Sequence, residues 1–258
     1  MPLLAVEGVS KEYFARGKKV VALDSIDLDV TEGEFVTIVG PSGCGKSTLL
    51  NLIVGLLRSS AGRITFRGER IDGICTKIGY VTQKDNLLPW RTLIKNVEIA
   101  LEIRGVEANA RRTQARDYID RVGLGGFEEH YPHELSGGMR QRANIIRTLI
   151  YDPELILMDE PFGPLDAQTR IVLQDQLLQL WSASKKTIIF ITHDLVEAIT
   201  LADRVVLMSS RPGKIKSIEN VAIPRPRDVF KIHESEQFRA VYERLWQQLR
   251  PEVKLAEA

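Results

Sequence analysis

The stretch Gly40-Pro41-Ser42-Gly43-Cys44-Gly45-Lys46-Ser47 fits the pattern G-x-x-x-x-G-K-[ST] at every fixed position, and it constrains the fold more than any other part of the chain. Phe35-Val36-Thr37-Ile38-Val39 before it reads as a short buried strand, and Thr48-Leu49-Leu50-Asn51-Leu52-Ile53 after it reads as the first turns of a helix. Strand, glycine loop and helix in that order make an anion cradle. Glycines let backbone N–H groups curl around an anion, while the new helix points its first amides and positive dipole end at the same place. In such a cradle Lys46 adds a point charge near the β and γ phosphates of a nucleotide, and the Ser47 hydroxyl is placed to ligate Mg²⁺.

The rest of the composition limits what surrounds this loop. At 258 residues and 44% hydrophobic, the chain can bury a substantial core, as one large domain or a domain with an insertion. A formal charge of +1 leaves no electrostatic footprint of nucleic-acid binding, and no nucleic-acid partner is expected. No apolar run approaches the roughly 18 residues of a spanning helix, and the start Met1-Pro2-Leu3-Leu4 lacks the regions of a signal peptide, so a cytoplasmic chain is expected. Cys44 and Cys75 lie in separate motifs away from metal-ligand spacing, which suggests two reduced thiols.

Periodicity divides the chain into three regions. Residues 3–10 and 20–39 alternate apolar and polar side chains, and Arg63-Ile64-Thr65-Phe66 adds a further strand, predicting an antiparallel β layer beside the phosphate loop. From about Leu87 to Pro153 the pattern turns helical, with Leu93, Val97, Ile99, Ala100 and Ile103 on one stretch and Ala115, Tyr118, Ile119 and Val122 on another. The charged run Arg111 to Asp117 fits a solvated helix face. Leu155-Ile156-Leu157-Met158 and Thr187-Ile188-Ile189-Phe190-Ile191 are continuous apolar runs of the kind buried on both faces of a parallel sheet, with an amphipathic helix over Gln168 to Trp181 between them. After Val205-Val206-Leu207-Met208 and the turn at Arg211-Pro212-Gly213-Lys214, a tail is expected from about Ser217. It carries Pro224-Arg225-Pro226-Arg227-Asp228 and an amphipathic helix with Phe238, Val241, Tyr242, Leu245 and Leu249.

Two further stretches carry chemistry. Met158-Asp159-Glu160 ends an apolar strand in two carboxylates, the arrangement of a second Mg-nucleotide motif in a phosphate-loop ATPase: Asp159 would hold Mg²⁺ through its hydration shell and Glu160 would polarise the attacking water. Leu135-Ser136-Gly137-Gly138-Met139-Arg140-Gln141-Arg142 combines a helix N-cap with glycines that permit close backbone approach, aiming another positive helix end at an anion. This stretch resembles the signature of ATP-binding cassette (ABC) proteins, and the resemblance covers nearly the whole chain.

The resemblance implies a RecA-like α/β phosphate-loop core with an antiparallel β layer over residues 1–86 and 154–216, a helical subdomain over 87–153 and a C-terminal tail over 217–258. It implies that ATP and Mg²⁺ are bound by Gly40 to Ser47 with Thr48, that Tyr13 stacks on adenine, and that Gln83 senses Mg²⁺ and the γ phosphate. Phe14 is an alternative to Tyr13, and either could be core. Ser47, Gln83 and Asp159 form the implied metal set, while Glu160, His193 and Lys46 form the implied catalytic set. Ser136, Gly137, Gly138 and Asp166 are implied to reach the nucleotide of a second copy, in a head-to-tail homodimer that closes on two ATP molecules. Met139 stands where the family signature often has Gln, and Pro164 where Ala is usual.

Asn86-Leu87-Leu88-Pro89-Trp90-Arg91 and the Pro-Arg-Pro-Arg-Asp tail look most like importer ATPases of the nitrate, sulfonate and taurine group. The implied partners are transmembrane permease subunits and, through them, an external solute-binding protein, with the chain peripheral on the cytoplasmic side of the membrane. Trp90 has two readings here, an anchor for a permease helix or a residue packing the first helix. A rival expectation, a soluble cassette ATPase serving DNA repair or translation, has a single cassette, no zinc motif, no coiled-coil arm and a near-neutral charge against it.

Overall fold

The computed structural model describes residues 1–15 and 17–257; Arg16 and Ala258, which the ranges 1–86 and 217–258 include, lie outside the described residues. The chain opens with two long antiparallel strands, β1 (Leu4–Ala15) and β2 (Lys18–Val30). In β2 the period of two is visible as burial: Ile26, Leu28 and Val30 face inward while Ser25, Asp27 and Asp29 face water. The phosphate-loop strand β3 (Phe35–Val39) and its helix α1 (Lys46–Ile53) follow, then β4 (Ala61–Phe66) and β5 (Glu69–Arg70) return to the first layer. That layer has the order β2-β1-β4-β5 and is antiparallel throughout.

After β6 (Ile78–Val81) the chain leaves the sheet for α2 (Leu93–Val97), α3 (Ile99–Ile103), α4 (Ala108–Arg121) and α5 (Gly137–Leu149). It returns through β7 (Leu155–Asp159), α6 (Ala167–Ser184), β8 (Thr187–Thr192), α7 (Leu195–Leu201), β9 (Arg204–Met208) and β10 (Ile215–Asn220), and closes with α8 (Glu236–Glu257). The second sheet has the order β10-β9-β3-β8-β7-β6, parallel except for β10, which runs antiparallel along the edge of β9. Every residue of β3, β7 and β8 is buried, as expected for central strands covered on both faces. Among the described residues no helix is long and apolar enough to cross a membrane.

The core has distinct parts. Leu4, Val6, Ile26 and Leu28 of the antiparallel layer pack with Leu49, Leu50 and Ile53 of α1 and with Leu155 and Leu157 of the parallel sheet. Phe35, Phe162, Phe190 and Trp181 join α6 to the other side of that sheet. The helical segment keeps its own cluster, built from Leu93, Val97, Leu101, Ala115, Ile119, Ala143 and Ile146. The tail is packed: Phe238, Val241, Leu245 and Leu249 of α8 lie against Leu195, Ala198, Ile199 and Ala202. β10 spans residues on both sides of the expected boundary between 216 and 217. An edge strand with one open side tolerates polar residues such as Lys216, Ser217, Glu219 and Asn220, which hides it from an apolar pattern search.

This strand order positions the site. β3 lies between β9 and β8, and β8 lies beside β7, so the loops leaving the C-terminal ends of β3, β7 and β8 are neighbours.

Candidate functional site

Those three loops meet at a cleft of about 410 Å³, lined by Tyr13, Ser42, Gly43, Gly45, Lys46, Ser47, Thr48, Gln83, Glu160 and Arg211 among others; Asp159 and His193 are not in its lining and lie against the lining residues Ser47 and Glu160. The glycine requirement of the loop is specific at two points. Gly45 has φ +107°, and a Cβ there would meet Leu23 Cδ2 at 2.6 Å. A Cβ on Gly40 would press on Cys44 Sγ and Met208 O, both at 3.0 Å. Lys46 is buried, and its ammonium donates to Gly40 O at 2.8 Å and Pro41 O at 3.0 Å, across the mouth of its own loop. Cys44 packs beneath, and burial pushes its thiol above the usual range.

Ser47 and Asp159 meet directly. The serine hydroxyl donates to Asp159 Oδ1 at 3.0 Å, and Tyr80 at the edge of the sheet donates to Oδ2 at 3.4 Å. Burial raises the Asp159 carboxyl above the ordinary aspartate range, with the charge of Glu160 adding to it and the Ser47 and Tyr80 hydroxyls opposing. A carboxylate and a hydroxyl of this kind are hard oxygen donors suited to Mg²⁺. Among the described residues no group of three or more His, Cys, Asp or Glu is arranged to hold a metal ion.

Glu160 is the meeting point of the remaining groups. Its Oε2 accepts from Gln83 Nε2 at 3.4 Å and lies 3.4 Å from His193 Nδ1, while Oε1 lies 3.9 Å from Lys46 Nζ. The residue adopts φ +45°, a left-handed conformation that side-chain-bearing residues seldom occupy, and is held there by its own N–H on Ile191 O at 3.0 Å. Tyr13 lines the cleft at 37% exposure, whereas Phe14 is 79% exposed and outside it, so neither is core.

Ser136, Gly137, Gly138 and Asp166 are not in this cleft's lining. Ser136 caps α5, its hydroxyl accepting from Met139 N at 3.3 Å, and Asp166 caps α6, its carboxylate accepting from Thr169 N at 3.0 Å. The two caps form one corner: a Cβ on Gly138 would lie 2.9 Å from Thr169 Cγ2. Ser136, Gly137 and Asp166 are exposed, so both helix starts point outward. Pro164 leaves the turn before Asp166 intact, since Gly163 N bonds Glu160 O at 3.1 Å and Leu165 N bonds Phe162 O at 3.2 Å.

A network joins the cleft to this corner, partly through Asp85, Asn96 and Arg147, which no motif marked. Arg140, one turn into α5, donates to Asp85 Oδ2 at 3.0 Å, and Arg147 donates to the carbonyls of Asp85 and Asn86 at 3.0 and 2.9 Å. Buried Asn96 accepts from Leu88 N at 2.7 Å and donates to the carbonyls of Leu88, Arg91 and Thr92, fixing the loop that carries Trp90 at 71% exposure. Trp90 therefore does not pack the first helix. Arg211 sits in a turn with nothing in the local sequence to single it out.

The comparisons with known proteins agree with this architecture. The family profile described as ABC transporter matches residues 23–163. An uncharacterized ABC transporter ATP-binding protein of Methanocaldococcus jannaschii is 50% identical over 225 residues, 87% of this chain and 84% of that protein. The aliphatic sulfonates import ATP-binding protein SsuB of Bacillus cereus is 42% identical over 95% of both chains. The taurine import ATP-binding protein TauB of Yersinia pestis is 46% identical over 83% of this chain and 82% of its own. A solved dimeric structure of an ATP-binding cassette in a post-hydrolysis state, bound to ADP and Pi, superposes with a TM-score of 0.77 at 32% identity, covering 86% of this chain and all of that one. With the phosphate loop, the paired carboxylates and the outward signature corner on one RecA-like framework, the chain belongs to the ABC transporter family as one of its ATP-hydrolysing cassettes.

Proposed function

We propose that this protein is the ATPase subunit of an importer for a small organic sulfonate such as taurine, and that the single observation carrying the catalytic half is the convergence of Lys46, Gln83 and His193 on Glu160 beside the Ser47–Asp159 pair. In this reading ATP lies along the cleft, its base against Tyr13 and its phosphates on the amides of Ser42 to Thr48. Lys46 exchanges its loop carbonyls for phosphate oxygens. Ser47, Asp159 and Gln83 would hold Mg²⁺, which when bound neutralises charge on the β and γ phosphates. Glu160 accepts a hydrogen bond from the attacking water, and His193 donates to a γ-phosphate oxygen as the bond to ADP breaks. Ser136, Gly137 and Asp166 act on the nucleotide of a second copy in a homodimer.

The importer half rests on the sulfonate and taurine importers to which the chain is similar, and on a patch of half-buried Leu88 with exposed Pro89 and Trp90, joined to Gln83 by the four residues Lys84 to Leu87. An aromatic anchor on a rigid loop suits a helix of a permease subunit, and would keep the chain peripheral on the cytoplasmic face of the membrane. Closure of the dimer on ATP then moves the permease, and hydrolysis reopens it. Cell fractionation tests this: the wild-type chain is expected with the membranes and released by alkaline wash, while Trp90→Ala is expected in the soluble fraction with unchanged thermal stability and ATP affinity when purified. A Trp90→Ala chain that stays with the membranes, or a wild-type chain that is soluble throughout, overturns the assignment.

A further inference from the structure

The loop between β9 and β10 sits against the phosphate loop on the side away from Glu160. Gly213 N donates to Ala22 O and Asp24 N to Gly213 O, both at 3.0 Å, and a Cβ on Gly213 would lie 2.0 Å from Cys44 O, so the two loops touch with no room for a side chain. Two residues earlier, Arg211 turns into the nucleotide cleft. Its Nη2 donates to Gly43 O at 3.0 Å, and its side chain lines the cleft with Tyr13, Ser42 and Ser47. Of the residues lining that cleft, Lys46 and Arg211 are the two cations.

Arginine is a different tool from the buried lysine. A guanidinium offers five N–H donors in a planar fork that fits phosphate oxygens, and the Gly43 carbonyl engages only one edge of it. The last helix holds the backbone that presents it. Glu252 of α8 is buried, and its Oε2 accepts from both Ser210 N at 2.9 Å and Ser210 Oγ at 3.0 Å. Its Oε1 accepts from Lys216 Nζ at 2.7 Å, and Lys216 also donates to Gln248 O at 3.1 Å. One carboxylate thus ties both sides of the loop to the tail helix, immediately before Arg211.

We propose that Arg211 is a further nucleotide-contacting residue, a second cation for the polyphosphate, and that α8 sets its position through Glu252 and Ser210. The inference rests on ATP occupying this cleft and adds a contact that neither the signature nor the phosphate-loop motif contains. It links the C-terminal helix to nucleotide affinity in one subunit.

The test is equilibrium ATP binding by the full chain at several salt concentrations, with thermal stability measured on the same samples. Arg211→Met, which keeps the aliphatic stem, is expected to bind ATP roughly tenfold more weakly and with a shallower salt dependence, because one screened ionic contact is gone. Arg211→Lys keeps the charge without the fork, and is expected to lose about threefold with the wild-type salt dependence. Glu252→Gln keeps the guanidinium but weakens its support, and is expected to lose about threefold, again with the wild-type salt dependence. Arg211→Met binding within twofold of wild type overturns the proposal, as does a loss with unchanged salt dependence, which would make Arg211 only a support for Gly43. A wild-type chain that fails to bind ATP defeats the nucleotide reading of the cleft itself.

Discussion

Glu160 shows how much a single residue depends on its surroundings. Its carboxylate is within reach of a lysine, a glutamine and a histidine drawn from three separate loops, and its left-handed backbone is what turns the side chain toward them. Removing its charge while keeping its shape separates binding from chemistry. Glu160→Gln is expected to bind ATP as tightly as wild type while steady-state hydrolysis falls by about a hundredfold or more, with an ATP-bound dimer accumulating on size exclusion. Normal turnover by this variant would remove Glu160 from its role. The identity of this residue was legible in the sequence because a carboxylate pair ends an apolar strand. Its φ was not, since nothing local demands a strained glutamate; the register of β7 beside β8 and the bond to Ile191 O impose it.

At the level of elements, α7 is the piece whose two ends do different things. It starts at Asp194, directly after His193, and its first turn is capped by the Asp194 carboxylate accepting from Val196 and Glu197 N–H groups at 2.8 and 3.3 Å. Its other end is closed by the tail. Arg227, buried at 8% exposure, donates to the carbonyls of Ile199, Thr200, Ala202, Val221 and Ile223, while Arg225 bonds Leu201 O and Asp203 and lies over the Trp181 ring. Burial lowers the Arg227 guanidinium to a pKa of about 10, the neighbouring Arg225 charge adding to this, so it stays protonated at neutral pH. Arg227→Ala would leave those carbonyls buried without a partner. It is expected to cost about 3 kcal/mol, or roughly 6–12 °C in Tm by thermal denaturation. A shift under about 2 °C would mean that water or a rearranged tail replaces the guanidinium.

The same element marks the limit of the sequence reading. The Pro-Arg-Pro-Arg-Asp stretch was visible as a motif, and the apolar stripe of α8 predicted a packed face, yet nothing in the spacing said that two arginines would end another helix. Long-range capping leaves no periodic trace. Phosphate loop, central strands and signature helix were readable because each couples an apolar run to a glycine or a cap within a few residues. β10 and Arg211 were not, because their partners are set by tertiary contact; the Asn96 network is local, but a polar side chain bonding the loop just before it leaves no apolar pattern.

For the whole molecule the placement of the signature corner matters most. Ser136 and Asp166 cap adjacent helices and face outward, away from the chain's own cleft. Ser136→Arg is therefore expected to leave ATP binding by the monomer within about twofold of wild type and to abolish hydrolysis. Mixed with Lys46→Ala, it should regain part of the activity, since the pair forms one composite site with an intact loop from one chain and an intact signature from the other. No regained activity, together with weak ATP binding by Ser136→Arg alone, would place Ser136 in its own subunit's site. Gly138 and Thr169 lie so close that the two caps form one corner, and under the proposed function a chain would present a receptor and a plug as separate faces of one body. In that reading two such bodies related by a two-fold axis would satisfy both faces at once, and the reciprocal fit would leave nothing over to recruit a third.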